Sequence, residues 1–332
     1  MESSLTAVKI LHITASYSTY IGCLTFTAGI IGNVINILVF LHIKFFRNNQ
    51  CIFYLTIETL SDVFHQLFSI TMTILISFYG NDFSNTILIW CRLKYFLAQS
   101  FGLMTFSMIC FEATDQYFST NYRCILRQIC TFKLAQCVTL VTVFLCFLHS
   151  LLCSFYVNII PLIGCIIPNV IWIRYFSYIF YPVIVGFLPI TIASLFSLLA
   201  FRNVRRIVRR QIPIERRRFD RQITAMILLR VMFFVIFTLP YIIYRIYIVN
   251  VPINQNDSTH YAIVQLIQAI IVSIVNLNYT GNFYIFILSS ARYRRQVKYV
   301  LVKKCWKGWF SWNKNTIHPD IYMNYSSHIE ME

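Results

Sequence analysis

Four ionisable residues, Glu58, Asp62, Glu112 and Arg230, interrupt long apolar stretches of this 332-residue sequence. Glu58 and Asp62 are four apart, which puts both side chains on one face of a helix. A lone charge at the centre of a lipid-spanning helix costs at least ~2.5 kcal/mol on insertion scales. Such groups therefore pair with one another or mark a functional pathway. Arg245, near the end of a later apolar run, either snorkels to the headgroups or meets a negative partner. No nucleophile–base pair and no metal-ligand cluster stands out, and the eleven cysteines show no CxxC spacing. Enzyme and zinc-site readings rank last, and no cofactor is expected.

Those charges are placed by long apolar segments. Hydrophobic residues make up 58% of the chain and charged ones only 12%, against roughly 25% charged in a soluble domain. Too little polar surface remains to cover a water-facing globule. Apolar runs over about 17–43, 51–79, 90–118, 133–156, 175–201, 222–249 and 259–288 are each long enough to span a bilayer as a helix. The first has 27 residues without a formal charge, too long for a cleaved signal, and reads as an uncleaved anchor. Of the 28 Lys and Arg, 22 fall in four stretches, after the first, third, fifth and seventh runs. The positive-inside bias then sets the N-terminus outside and the C-terminus in the cytoplasm. The +16 net charge is accounted for by loops facing anionic lipid or a cytoplasmic partner, with no nucleic acid required.

The expected organisation is an extracellular N-terminus (1–16), a seven-helix transmembrane domain (17–288) and a cytoplasmic tail (289–332). Ser289 to Trp312 combines basic residues with Tyr293, Val297, Val300, Leu301, Trp306 and Trp309, the composition of an amphipathic helix lying on the membrane. Cys305 is either palmitoylated or a free thiol. Asn256-Asp257-Ser258 is a glycosylation sequon between the last two spans. Asn278-Tyr279-Thr280 and Asn324-Tyr325-Ser326 also match but read as chance, one inside a span and the other cytoplasmic.

Short motifs recur in a definite order. Helix 1 carries Gly32-Asn33 and helix 2 carries Leu60-Ser61-Asp62. Helix 3 opens at Cys91 and closes on Asp115-Gln116-Tyr117. Helices 5 and 6 carry Pro189 and Pro240, and Arg292-Tyr293-Arg294-Arg295 follows helix 7. Together, over residues 20–310, they resemble rhodopsin-like G-protein-coupled receptors, and among them the invertebrate neuropeptide receptors of the FMRFamide kind. The fold class implied is all-α, a seven-helix bundle followed by a cytoplasmic helix 8. The departures are specific. Gln116 replaces the DRY arginine, Thr238 the CWxP tryptophan and Cys146 the helix-4 tryptophan. NPxxY has become Gly281-Asn282-Phe283-Tyr284-Ile285, and without its proline helix 7 need not kink.

The resemblance implies a Cys91–Cys165 disulfide, with Cys153 or Cys23 as the other candidate partners. It places a ligand among Gln99, Tyr181, Tyr241, Tyr244, Arg245 and Gln268, although packing or lipid contact is the plain reading of each aromatic. Amine receptors carry an Asp where this chain has Ala98, and no lysine lies between Ser258 and Ala291 to hold retinal. Arg92, Lys94, Arg174 and Arg245 form a basic mouth that favours an acidic ligand. Asp62 is implied to bond Asn33 and water, or to hold sodium with Thr105; the matching helix-7 positions are Leu277 and Gly281. Asp220 loses its lock partner at Gln116, so a contact of Glu112 with Arg230, joined by Glu58, is expected in its place. The other reading has Arg230 snorkelling to the headgroups and Glu112 protonated. The implied activity is that of a plasma-membrane receptor for an extracellular peptide or small non-aminergic ligand, engaging a heterotrimeric G protein. Gln116 and the lost NPxxY favour a seven-helix receptor that does not couple. A transporter or channel using Glu58, Asp62 and Glu112 is a third reading, against which stands the absence of paired inverted halves.

Overall fold

Apolar segments cannot leave backbone groups unpaired in lipid, and here they close their hydrogen bonds within helices. The computed structural model describes residues 2–42, 49–79, 86–121, 123–160, 164–207, 214–250 and 258–302. Seven helices among them are long and apolar enough to cross a membrane. They are α1 (Glu2–His42), α2 (residues 50–79), α3 (Leu88–Ser119), α4 (Phe132–Phe155), α5 (residues 170–207), α6 (Ile214–Asn250) and α7 (Ser258–Thr280, resuming as Asn282–Ser289). Short polar side chains set several starts. Asn49, Thr131 and Asn169 accept the N–H groups of Ile52, Leu134 and Ile171 and so cap α2, α4 and α5.

Burial is inverted relative to a water-soluble protein. Leu140 (70% exposed), Phe144 and Phe187 face outward, whereas Asn33, Glu58, Asp62, Gln66, Glu112 and Asn282 are fully enclosed. The chain is thus a multi-pass membrane protein whose polar groups converge inside the bundle. Helix α3 is its axis, 61% buried where the other spans range from 17 to 39%. It packs on α2, α4 and α5 and touches α6, while α1 lies along α7.

Three of the seven spans depart from regular winding. In α2 a π-helical turn occupies Gln66–Ile70. In α5 the wide turns run over Phe176–Phe187 and enclose Pro182, which cannot donate to the ladder, while Pro189 lies in the regular helix that follows. In α7 the ladder runs to Gly281 N–H on Leu277 O and resumes with Ile285 N–H on Gly281 O. Between α4 and α5 an antiparallel hairpin pairs Asn158–Ile160 (β1) with Gly164–Ile166 (β2), Gly164 taking a positive φ of 93°.

The first helix begins well before the expected boundary at residue 17. Residues 2–16 continue α1 because Leu5, Val8 and Leu11 extend its apolar surface and Ala7 is buried. After α7, Ser290 caps a helix over Ala291–Tyr299, whose buried Tyr293 donates to Asn36 Oδ1 on α1. Asn256 and Cys305 lie outside the described residues.

Candidate functional site

Cys91 at the start of α3 and Cys165 in β2 are disulfide-bonded. Cys153 and Cys23, the other candidate partners, are free. Arg92 donates to Val157 O and Asn158 Oδ1, and the Tyr95 hydroxyl to Cys165 O. These contacts hold the hairpin against α3 beside a cavity of about 550 Å³, a volume in the range of small-molecule sites.

Five of the six candidate ligand residues line that cavity: Gln99, Tyr181, Tyr241, Arg245 and Gln268. Tyr244 does not. Its hydroxyl turns toward α7 and bonds Gln268 Oε1 and Val264 O, because its position on α6 faces that helix. Of the four basic residues expected at the mouth, Lys94 and Arg245 line the space, whereas Arg92 serves the hairpin and Arg174 is exposed. Arg245 donates to the Tyr181 hydroxyl and stacks 4.8 Å from that ring's centroid. Its Nε is buried and has no partner, and no carboxylate pairs with it among the described residues. His65, also lining the space, stacks on Tyr279, ring centroids 3.8 Å apart, and its buried Nδ1 is likewise unpartnered. Gln99 Nε2 meets His149 Nδ1, and His149 Nε2 meets the Tyr175 hydroxyl at 2.6 Å.

Below the cavity lies a polar network. Asp62 accepts Thr105 Oγ1–H on one oxygen and Asn282 Nδ2–H on the other, each at 2.8 Å. Asn282 supplies the α7 contact, one residue from the expected Gly281 and four beyond Asn278. Asn33 does not reach Asp62; its amide and that of Gln66 both donate to Tyr279 O, at 2.8 and 2.6 Å. Neither Leu277 nor Gly281 carries a side-chain oxygen, and no metal-holding group of three or more His, Cys, Asp or Glu occurs among the described residues.

Arg230 makes the ion pair expected of it, but with Glu58 rather than Glu112. Its Nε and Nη2 reach Glu58 Oε1 at 2.9 and 2.6 Å. Its other donors go to Asn278 Oδ1 and O, so Arg230, 1% exposed, does not snorkel. Asn282 Nδ2 also reaches Glu58 Oε1, at 3.1 Å. Neither carboxyl oxygen of the buried Glu112 receives a donor. Asn278, dismissed in the sequence as a chance sequon, completes the network by donating to Thr238 Oγ1 at 3.0 Å. Its four-residue spacing from Asn282 was the signal available.

Toward the far end of α3, Gln116 Nε2 donates to Thr224 Oγ1 on α6 at 2.7 Å. Asp115 is buried, and Tyr117 packs 5.4 Å from Phe196 of α5. Burial, with Asp115 alongside, pushes the Cys130 thiol up to about 12. Pro240 lies within α6; Asp220 is on the same helix, its side chain outside the described residues. No family model and no curated protein sequence matches the chain. The class that fold and site define is a multi-pass bundle of seven membrane-length helices, with a cavity at the hairpin end and a charged network beneath it.

Proposed function

We propose that this protein is a cell-surface receptor of the rhodopsin-like kind, with the N-terminus and hairpin outside. It binds an acidic ligand in the hairpin-end cavity and signals by movement of α6 at the cytoplasmic face. The observation that carries this reading is Arg245: a half-buried guanidinium lining an open cavity, held by a tyrosine, with an enclosed Nε that has no partner and no carboxylate against it among the described residues. A cation partly withdrawn from water without an ionic partner is costly, and a ligand carboxylate or other acidic group would supply one. A free small acid or the acidic part of a peptide fits a volume of about 550 Å³. Signalling then requires the ligand to prefer the arrangement with α6 displaced.

The test is guanine-nucleotide exchange by heterotrimeric G proteins on membranes carrying the receptor, with a panel of acidic peptides and small acids. Arg245→Ala is expected to weaken an active ligand at least about tenfold, or about 1.4 kcal/mol. Unaltered affinity would remove the acidic-ligand reading. A second reading, a receptor that does not couple to G proteins, is favoured by Gln116. A neutral amide tied to Thr224 stands where the resembled family presents an arginine. Ligand uptake without nucleotide exchange would select it.

A further inference from the structure

The polar network has more acid than base. Glu58, Asp62 and Glu112 are all fully buried, and Arg230 is the one cation that bonds them among the described residues. Arg230 and Asn282 direct three donors at one oxygen, Glu58 Oε1. The other oxygen, Glu58 Oε2, has no donor, and neither has either oxygen of Glu112. The two carboxyls nevertheless lie within hydrogen-bonding reach of one another. Two ionised carboxylates at that separation in a dry interior repel strongly. Moreover, a buried acceptor facing only another acceptor forfeits its hydrogen bond.

A single proton resolves both problems. We infer that Glu112 and Glu58 form a proton-binding site, in which the Glu112 carboxylic acid donates its O–H to Glu58 Oε2 while Glu58 Oε1 stays ionised against Arg230. The proton comes from water, and no other bond is made or broken. It adds a bond from α3 to the Glu58 carboxyl that Arg230 already ties to α6, and that added bond lasts only while the proton is present. Asp62 is not the acid that carries it, since donors from Thr105 and Asn282 already occupy both its oxygens. The remaining groups facing the pair are Arg230 from α6, Cys51 from α2, Cys110 on α3 itself, and the neutral Asn278 and Asn282 from α7. This site does not depend on the receptor reading, and a proton bound in the folded but not the unfolded state makes stability fall as pH rises.

The experiment uses the full chain in lipid nanodiscs and reads the infrared carbonyl stretch of protonated carboxylic acids. Carbon-13 labelling of glutamate should shift a protonated-carboxyl band in the unmodified protein. Glu112→Gln, the shape of the protonated acid, should lose that band and keep the thermal midpoint to within a few degrees. It should also remove the part of the fall in stability that Glu112 contributes as pH rises above the ordinary carboxylate range. Glu58→Gln, which removes the carboxylate facing Arg230, should lower the midpoint clearly. The absence of any glutamate-shifted band in the unmodified protein overturns the site, and needs no variant to fold. A Glu112→Gln protein that keeps the band, or is as unstable as Glu58→Gln, overturns it equally.

Discussion

Arg230 settles the chemistry of the bundle at the scale of single residues. Its guanidinium is spent on Glu58 and Asn278 at four contacts of 2.6–3.3 Å. Removing one member of a buried pair strands the other, at a typical cost of ~3–5 kcal/mol. Arg230→Gln and Glu58→Gln should each depress thermal stability by that order, and the double variant should lose less than the two losses added. Strict additivity in unfolding midpoints would mean the contact contributes nothing. The charged residues themselves were legible in the sequence, because each breaks an apolar run. Their pairing was not. Placing Glu112 opposite Arg230 rested on a resemblance whose positions are apolar, and it could not show that a guanidinium on α6 passes Glu112 and reaches across to α2. The helix-7 polar positions were also set one residue early, at Leu277 and Gly281, because the replaced NPxxY left no proline to fix the register. Asn278 and Asn282 hold those places.

At the scale of elements, α7 interrupts its hydrogen bonding without a proline. The cause is side-chain competition: Tyr279 O is taken by Asn33 and Gln66, and Asn278 O by Arg230. Side chains inserted into the ladder are a recognised source of helix breaks. No propensity in the sequence of α7 reveals this, since the competing donors lie on α1, α2 and α6. Replacing Gln66 by Ala should cost about 1–3 kcal/mol for the lost buried contact. With Asn33→Ala added, the Tyr279 carbonyl is released to the Phe283 N–H, and amide exchange at 282–284 should slow. Unchanged exchange there would refute the competition account. The close approach behind it depends on small residues. A Cβ at Gly29 would stand 2.3 Å from the Gln66 amide, and one at Gly32 would stand 2.9 Å from Phe283 Cβ. The Gly32-Asn33 pair therefore has a packing reason as well as a hydrogen-bonding one.

At the scale of the molecule, the disulfide joins residues 74 apart in sequence and fixes the hairpin beside the cavity. Such a bridge is typically worth ~2–4 kcal/mol. Cys91→Ser or Cys165→Ser should reduce the amount of folded protein recovered from membranes and, if the receptor proposal holds, weaken binding of an acidic ligand. Folded membrane-fraction levels equal to the unmodified protein would argue against a role in assembly. Seven membrane-length segments were readable from composition and run length alone, since lipid imposes one solution on each. The largest shift is at the start of α1, where Lys9 and Glu2 disguise an apolar strip that continues toward the N-terminus; α5 and α6 also begin earlier than their apolar runs, at 170 and 214.

That early start has a consequence of its own. A helix of 41 residues rises about 1.5 Å per residue, about twice the ~30 Å of bilayer hydrocarbon. Part of α1 therefore stands clear of the lipid as a stiff post beside the mouth of the bundle. Anything joined ahead of it would be carried at a fixed height and bearing, as on a mast. Labels spaced along residues 5–16 would act as a graduated rule, each turn reading a different distance from the headgroups.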